Sequence, residues 1–282
     1  MKIGISLRVG PRNWVEFTQA AETAGLDSVW FPEHLIMPVK MSGHPGSPHE
    51  GEPPISGDTP AWDPWLQLAY LAGQTRTIRL GINVFNIGLR HPFITARALA
   101  TADLLSTGRI DFGVGASWLS EEWQAMQLPF ETRAGRVNET IRIIQRLFTE
   151  DVIEHDGEFF TFQPVKFQPK PVQTPWPPFL IGGDSPAALR RAARLGDGWL
   201  PMAQTLETLP GNLQRLAELR AEAGRDGPFQ VVIQFNGSAG LDELKRYRDL
   251  GVDRAIVTPW DHPRDAVAAI LRLGEEIAPQ LA

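Results

Sequence analysis

Eight short apolar runs alternate along the chain with stretches of helical periodicity, and this rhythm narrows the fold more than any other feature. The runs are residues 3–7, 28–31, 78–84, 109–114, 178–181, 198–200, 230–235 and 254–257. Helical spacing follows them at 14–23, 65–74, 94–105, 136–148, 186–195, 209–223, 241–250 and 266–277. In the second of these, Trp65, Leu68, Ala69 and Ala72 share one face. In the fourth, Ile141, Ile144, Leu147 and Phe148 recur at three and four. Eight strand–helix units of this kind close into one α/β barrel, a TIM (β/α)8 barrel. A length of 282 residues suits that barrel with insertions. The insertions fall after the second strand, at 35–61, and after the fourth helix, where 153–172 is rich in Phe and Pro. No linker, repeat or low-complexity tract divides the chain, so residues 1–282 read as a single domain. An open doubly wound sheet would take its first strand into Gly-x-Gly-x-x-Gly. Here that strand meets Arg8-Val9-Gly10-Pro11-Arg12-Asn13, and Gly113-Val114-Gly115 has Trp118 where the third glycine belongs.

Composition removes several chemistries. Lys and Arg number 27 against 33 Asp and Glu, a formal charge of −6. No basic stripe stands out, which argues against nucleic-acid binding. With no cysteine there is no disulfide, thiolate nucleophile, iron–sulfur ligation or cysteine zinc site. No run of eighteen apolar, uncharged residues spans a membrane. The first eight residues read as a strand and not as a signal peptide, so a cytoplasmic location is expected. No His-x-His follows the first strand, and neither His-Glu-x-x-His nor Gly-x-Ser-x-Gly occurs, so no metal ligand set or nucleophile elbow is expected. Residues 234–238 carry no acid, leaving a retaining glycosidase without its second carboxylate.

Barrel chemistry gathers where strands run into helices. The second strand exits through Pro32-Glu33-His34. A carboxylate beside an imidazole reads as a proton-transfer pair, against a plain surface histidine with a polar neighbour. Residues 35–61 hold six prolines and four glycines, the composition of a lid or of an unstructured insertion. The third strand exits through Asn83-Val84-Phe85-Asn86 towards Arg90-His91-Pro92, where Asn86 and His91 also suit helix capping. The fourth exits through small residues to Trp118 and then Ser120-Glu121-Glu122-Trp123, which also reads as a helix start. The fifth exits through Gly182-Gly183-Asp184-Ser185-Pro186. Bare amides at a helix start accept phosphate, and the same residues make an ordinary capped turn. Together these exits suit a planar cofactor bearing a phosphate.

At these positions the chain resembles the luciferase-like monooxygenase superfamily, and within it the branch that depends on the deazaflavin coenzyme F420. The resemblance covers residues 1 to about 202 and is strongest in 30–35, 79–92, 99–118 and 177–201. Its most specific stretch is Gly182-Gly183-Asp184-Ser185-Pro186-Ala187-Ala188-Leu189-Arg190-Arg191-Ala192-Ala193-Arg194-Leu195-Gly196-Asp197-Gly198-Trp199. The resemblance implies an oxidoreductase that moves a hydride between F420 and an organic substrate, with an FMN-dependent monooxygenase or a non-catalytic flavin-binding protein as alternatives. It implies that Glu33 and His34 lie against the ring and that Asn83, Val84 and Phe85 form a bulge behind it, one that often holds a non-proline cis peptide. It further implies that Gly182, Gly183 and Ser185 hold the phosphate and that Glu121 faces the cofactor. Trp118 and Trp123, with Phe85, are expected to wall the substrate pocket. A homodimer and a separate enzyme to recycle the cofactor are expected on the same ground. Trp118 stands where relatives that oxidise glucose 6-phosphate carry a Glu, a departure that argues against a sugar phosphate.

Overall fold

The computed structural model describes residues 1–41 and 55–281. Strands and helices follow in the order β1 (Lys2–Ser6), α1 (Trp14–Thr23), β2 (Ser28–Phe31), α2 (Pro64–Ala72), β3 (Arg79–Asn86), α3 (Pro92–Ser106) and β4 (Ile110–Gly115). Next come α4 (Ser120–Ala125), α5 (Arg133–Thr149), β5 (Ile153–Asp156), β6 (Thr161–Val165), β7 (Phe179–Gly182), α6 (Pro186–Leu195) and β8 (Gly198–Leu200). The chain continues through α7 (Leu209–Glu222), β9 (Gln230–Gln234), α8 (Leu241–Asp249), β10 (Arg254–Val257) and α9 (Ala266–Arg272). The parallel strands close in the order β1-β10-β9-β8-β7-β4-β3-β2, the barrel that the alternation predicts. The Phe- and Pro-rich insertion is the antiparallel hairpin β5–β6. The short α4 lies between β4 and α5 and begins at the helix start that Ser120-Glu121-Glu122 suggests. Among the described residues no helix is long and apolar enough to cross a membrane.

Side chains alternate between the two faces of each strand. Ile3, Ile5, Leu7, Val29, Phe31, Phe112, Val114, Phe179 and Ile181 pack outwards under the helices. Trp30, Leu180, Leu200, Val232 and Ile256 meet inside the barrel. Trp30 fills the middle because Gly81 faces it: a Cβ there would lie 2.3 Å from the indole ring. Helix starts use the expected chemistry. Asp63 accepts from the amides of Trp65 and Leu66, His91 from Phe93, and Ser185 from Ala188, each ahead of a proline in the first turn. Asn86 does not cap. Its side-chain amide donates to the Glu33 carbonyl.

The N-terminal end of the barrel is closed by charge. Asp111 on β4 accepts from Arg79 on β3 (2.8 and 2.6 Å) and from Arg254 on β10 (2.7 Å). Arg254 also pairs with Asp27 at 2.6 Å and lies over the Trp30 ring. Burial alone would push the Asp111 carboxyl up, but Arg254 and Arg79 outweigh it and hold its pKa below the usual range. A depressed carboxylate stabilises the fold above the ordinary Asp pKa of about 3.9 and loses that contribution as pH falls through its folded value. Asp111→Ala, which leaves Arg79 without a carboxylate and Arg254 with Asp27 alone, is expected to cost about 3–5 kcal/mol in urea unfolding at neutral pH. A loss below about 1 kcal/mol would show that this cluster does not close the barrel.

Candidate active site

At the opposite end the inward positions are small or polar. Ser6 on β1, Gly115 on β4 and Gly182 on β7 face the mouth of the barrel, beside Asn83, Val84 and Gln234. The β3–β4 register shifts between Ile82 and Phe85, and the Asn83–Val84 peptide is cis. Asn83 and Val84 are partly exposed at the mouth, whereas Phe85 turns outwards and is fully buried. A Cβ on Gly115 or Gly182 would lie 2.6 or 2.9 Å from a Val84 methyl, so two glycines make room for Val84. Asn83 donates its side-chain amide to the Gln234 side-chain carbonyl. Strands β3 and β9 stand four apart in the closed order, so this bond crosses the barrel and floors the mouth.

His34 sits at the rim with its side chain 14% exposed. Its Nδ1 lies 3.3 Å from Oε2 of Glu122, a carboxylate with no exposed surface. The other carboxylate oxygen accepts from the Leu35 amide at 2.7 Å. Glu122 thus ties α4 to the chain leaving β2 and directs the imidazole. A carboxylate only accepts, so Nδ1 carries a proton and Nε2 is left to exchange one with a ligand. Trp118 meets the imidazole edge-on, with centroids 6.1 Å apart.

Four sequence expectations shift here. Glu33 is only 4% exposed and is held by Arg90 (2.8 Å) and the Asn86 amide (2.8 Å), so it braces β2 against β3 beneath the rim. Burial pushes its pKa above the usual range, against the opposing pull of Arg90. Glu121 accepts from the Ser120 hydroxyl, and Glu122, one residue on, is the carboxylate that reaches His34. Trp123 is fully buried, with its ring fitted against Gly88 and edge-on to Phe130, and does not line the mouth. Phe85 packs between Trp65 and Phe112 under the helices and is likewise no pocket wall. Of the proposed lid at 35–61, residues 42–54 lie outside the described residues.

The start of α6 forms an anion cradle, with donors other than those expected. The Gly183 amide is already given to the Leu200 carbonyl, and its own carbonyl accepts from Trp199 Nε1. Ser185 Oγ accepts from the Ala188 amide. Among the described residues, the amides of Asp184, Ser185 and Ala187 meet no acceptor. Gly183 at φ +105° turns the chain so that these three precede or open the helix. The Asp184 carboxylate turns away to bind the amides of Met202 and Ala203 and the Gln204 side chain. Three bare amides at the positive end of a helix suit a phosphate.

Sequence reasoning passed over Arg8. Gly4 and Ser6 face inwards, so strand alternation brings Arg8 to the mouth. Among the described residues its side chain meets no acceptor, and it stays open to solvent. Surrounding protein nevertheless lowers its pKa by desolvation, as expected for a cation in a concavity. β1 and β7 are four strands apart in either direction, so Arg8 faces the anion cradle across the mouth. Parity along β1 was the signal that could have found it.

The model of the luciferase-like monooxygenase family matches residues 4–272. An F420-dependent glucose-6-phosphate dehydrogenase of Amycolatopsis mediterranei is 33% identical over 199 residues, which cover 68% of this chain and 53% of that protein. The structure of the coenzyme F420 dependent tetrahydromethanopterin reductase of Methanopyrus kandleri superposes with TM-score 0.79 at 18% identity, over 100% of this chain and 99% of the other. A monooxygenase of Streptomyces bottropensis superposes with TM-score 0.78 at 21% identity, over 100% of both chains.

Proposed function

The chain belongs to the luciferase-like monooxygenase family, and we propose that it is an F420-dependent oxidoreductase that transfers a hydride between the deazaflavin and an organic carbonyl or activated alkene. One observation carries the reading: three unpaired amides at α6 face His34 and its Glu122 partner across a mouth floored by small and polar side chains. Free amides at a helix start suit a phosphate, and the small and polar mouth suits a planar ring. The amides of Asp184, Ser185 and Ala187 would hold the phosphate, and Asn83 and Val84 would back the ring. When bound, the deazaflavin supplies a ring carbon that accepts or gives hydride and leaves oxygen unreacted.

The chain's own residues handle the proton. Nε2 of His34 gives it to, or takes it from, the substrate oxygen or carbon, and Glu122 steadies the charged imidazole through Nδ1. Trp118 excludes water beside the imidazole. The sequence kinship with an F420-dependent dehydrogenase supports the deazaflavin. Trp118 at the position of a Glu in sugar-phosphate oxidisers speaks for another substrate. The second reading is an FMN-dependent monooxygenase fed by a separate reductase, favoured by the name of the family model itself. Under the first reading a separate dehydrogenase recycles the coenzyme.

A homodimer is part of the proposal. Leu66 and Tyr70 on α2 and Ile94 on α3 are 73%, 52% and 64% exposed on two helices that pack side by side. Sedimentation at twice 31.3 kDa, reduced to the single mass by Leu66→Glu with Tyr70→Glu, is the expected result. A monomeric wild type would remove the dimer. For the chemistry, His34→Ala is expected to keep coenzyme affinity while hydride transfer to a carbonyl and alkene panel falls about a hundredfold or more. Transfer at the wild-type rate would take His34 out of the mechanism.

A further inference from the structure

Arg8 is a cation at the mouth that the hydride and proton chemistry leaves unused. It follows β1, where Gly4 faces Trp30 inside the barrel and Ser6 is the next inward position. The pairing of Ser6 with Trp30 sets Arg8 beside the exit of β2, the one that carries His34. On its other side β1 pairs with β10, and Ile5 against Val257 brings Ser6 level with Thr258. Ile256 points into the barrel, so Thr258, two residues on, shares its face. One guanidinium and two hydroxyls therefore gather at the mouth on β1 and β10, next to His34.

Among the described residues the side chains of Ser6, Arg8 and Thr258 meet no hydrogen-bond or ion-pair partner. Hydroxyls elsewhere in the fold are used: those of Thr18, Thr75 and Ser106 donate to backbone carbonyls. Arg90, also near the rim, is paired with Glu33. Desolvation lowers the Arg8 pKa, and no carboxylate pulls it the other way. A cation in a concavity without a counter-charge favours an anionic ligand. Position separates that ligand from the coenzyme's phosphate. The free amides at α6 follow β7, four strands from β1 in either direction. A coenzyme anchored on them would reach towards Arg8 with its ring end. β1 and β2 are neighbours, so a group held by Arg8 belongs to the molecule that His34 serves.

We propose that Arg8, Ser6 and Thr258 form a carboxylate subsite, and that the substrate is a carbonyl compound or activated alkene bearing an acid group. The inference rests on the cofactor reading above and names the substrate class for the same site. A guanidinium fork gives a carboxylate two parallel hydrogen bonds, and the hydroxyls donate to its remaining lone pairs. The acceptor carbon gains the hydride that the reduced coenzyme gives up. Its oxygen, or the neighbouring carbon of an alkene, gains the His34 proton, and the acid group passes through unchanged. Arg8 is thus a specificity residue that selects the substrate and makes or breaks no bond.

The test is calorimetric titration of the full chain, without coenzyme and with F420 in excess. The probes are benzoylformate, cinnamate, the methyl ester of each, and phenyl phosphate. Either acid is expected to bind about tenfold tighter than its ester at low salt, with the gap closing as ionic strength rises. Arg8→Gln is expected to erase the preference and leave ester and F420 affinity unchanged, and Arg8→Lys to keep part of it. In turnover, Arg8→Gln is expected to raise KM for the acids about tenfold with kcat held within about twofold. Equal affinity for acid and ester, or binding of neither in both states, overturns the subsite. Tighter binding of phenyl phosphate than of either acid overturns the carboxylate as the substrate class. Loss of F420 affinity in Arg8→Gln with the acid preference intact gives Arg8 to the coenzyme and overturns the assignment as well. Acid preference in a chain that takes no F420 upholds the subsite and overturns the cofactor reading instead. Should a variant fail to fold, the comparison of acid with ester on wild type decides alone.

Discussion

The Asp111 carboxylate, gripped by Arg79 and Arg254 at the closed end of the barrel, sets what the other end can be. It joins β3, β4 and β10 through one group, and Trp30 lies over the same cluster. Charge and indole together fill the lower and middle interior. The inward positions above them are free to be small. Gly115 and Gly182 give their volume to Val84, which reaches the mouth from β3. The mouth is thus lined by small and polar groups above packing that is complete below it.

Around the mouth the chain places three chemically distinct groups. Bare amides at α6 offer partial positive charge that no pH change removes. His34, directed by a buried Glu122, offers a proton site at the rim. Arg8 offers a full charge opposite the amides. The amides are fixed by the backbone and His34 by a buried partner, so those two parts of the site are set before any ligand arrives.

The barrel could be read directly because each strand is a short apolar run and each helix keeps its period, and both signals are local. The anion corner could be read because Gly-Gly-Asp-Ser-Pro is a capping sequence with a physical meaning at every position, although which amides stay free depended on the Leu200 carbonyl taking that of Gly183. Other assignments failed for geometric reasons. Counting by twos from Gly81 turns Phe85 inwards, but the register shift after Ile82 adds a residue and reverses its face. Glu121 and Glu122 are neighbours in sequence yet about 100° apart on a helix, and only contact with β2 decides between them. Trp123 is buried because Gly88, thirty-five residues earlier, leaves room for its ring.

The central claim is that the mouth takes a ring whose phosphate is received at α6. Equilibrium titration of the purified chain with coenzyme F420 and with FMN, alongside Ala187→Pro, which deletes one of the three free amides, tests it directly. The account predicts micromolar binding of the deazaflavin and a clear loss of affinity in the variant, with the melting temperature little changed. Wild-type affinity in the variant, or no binding of either molecule to the unaltered chain, would contradict it.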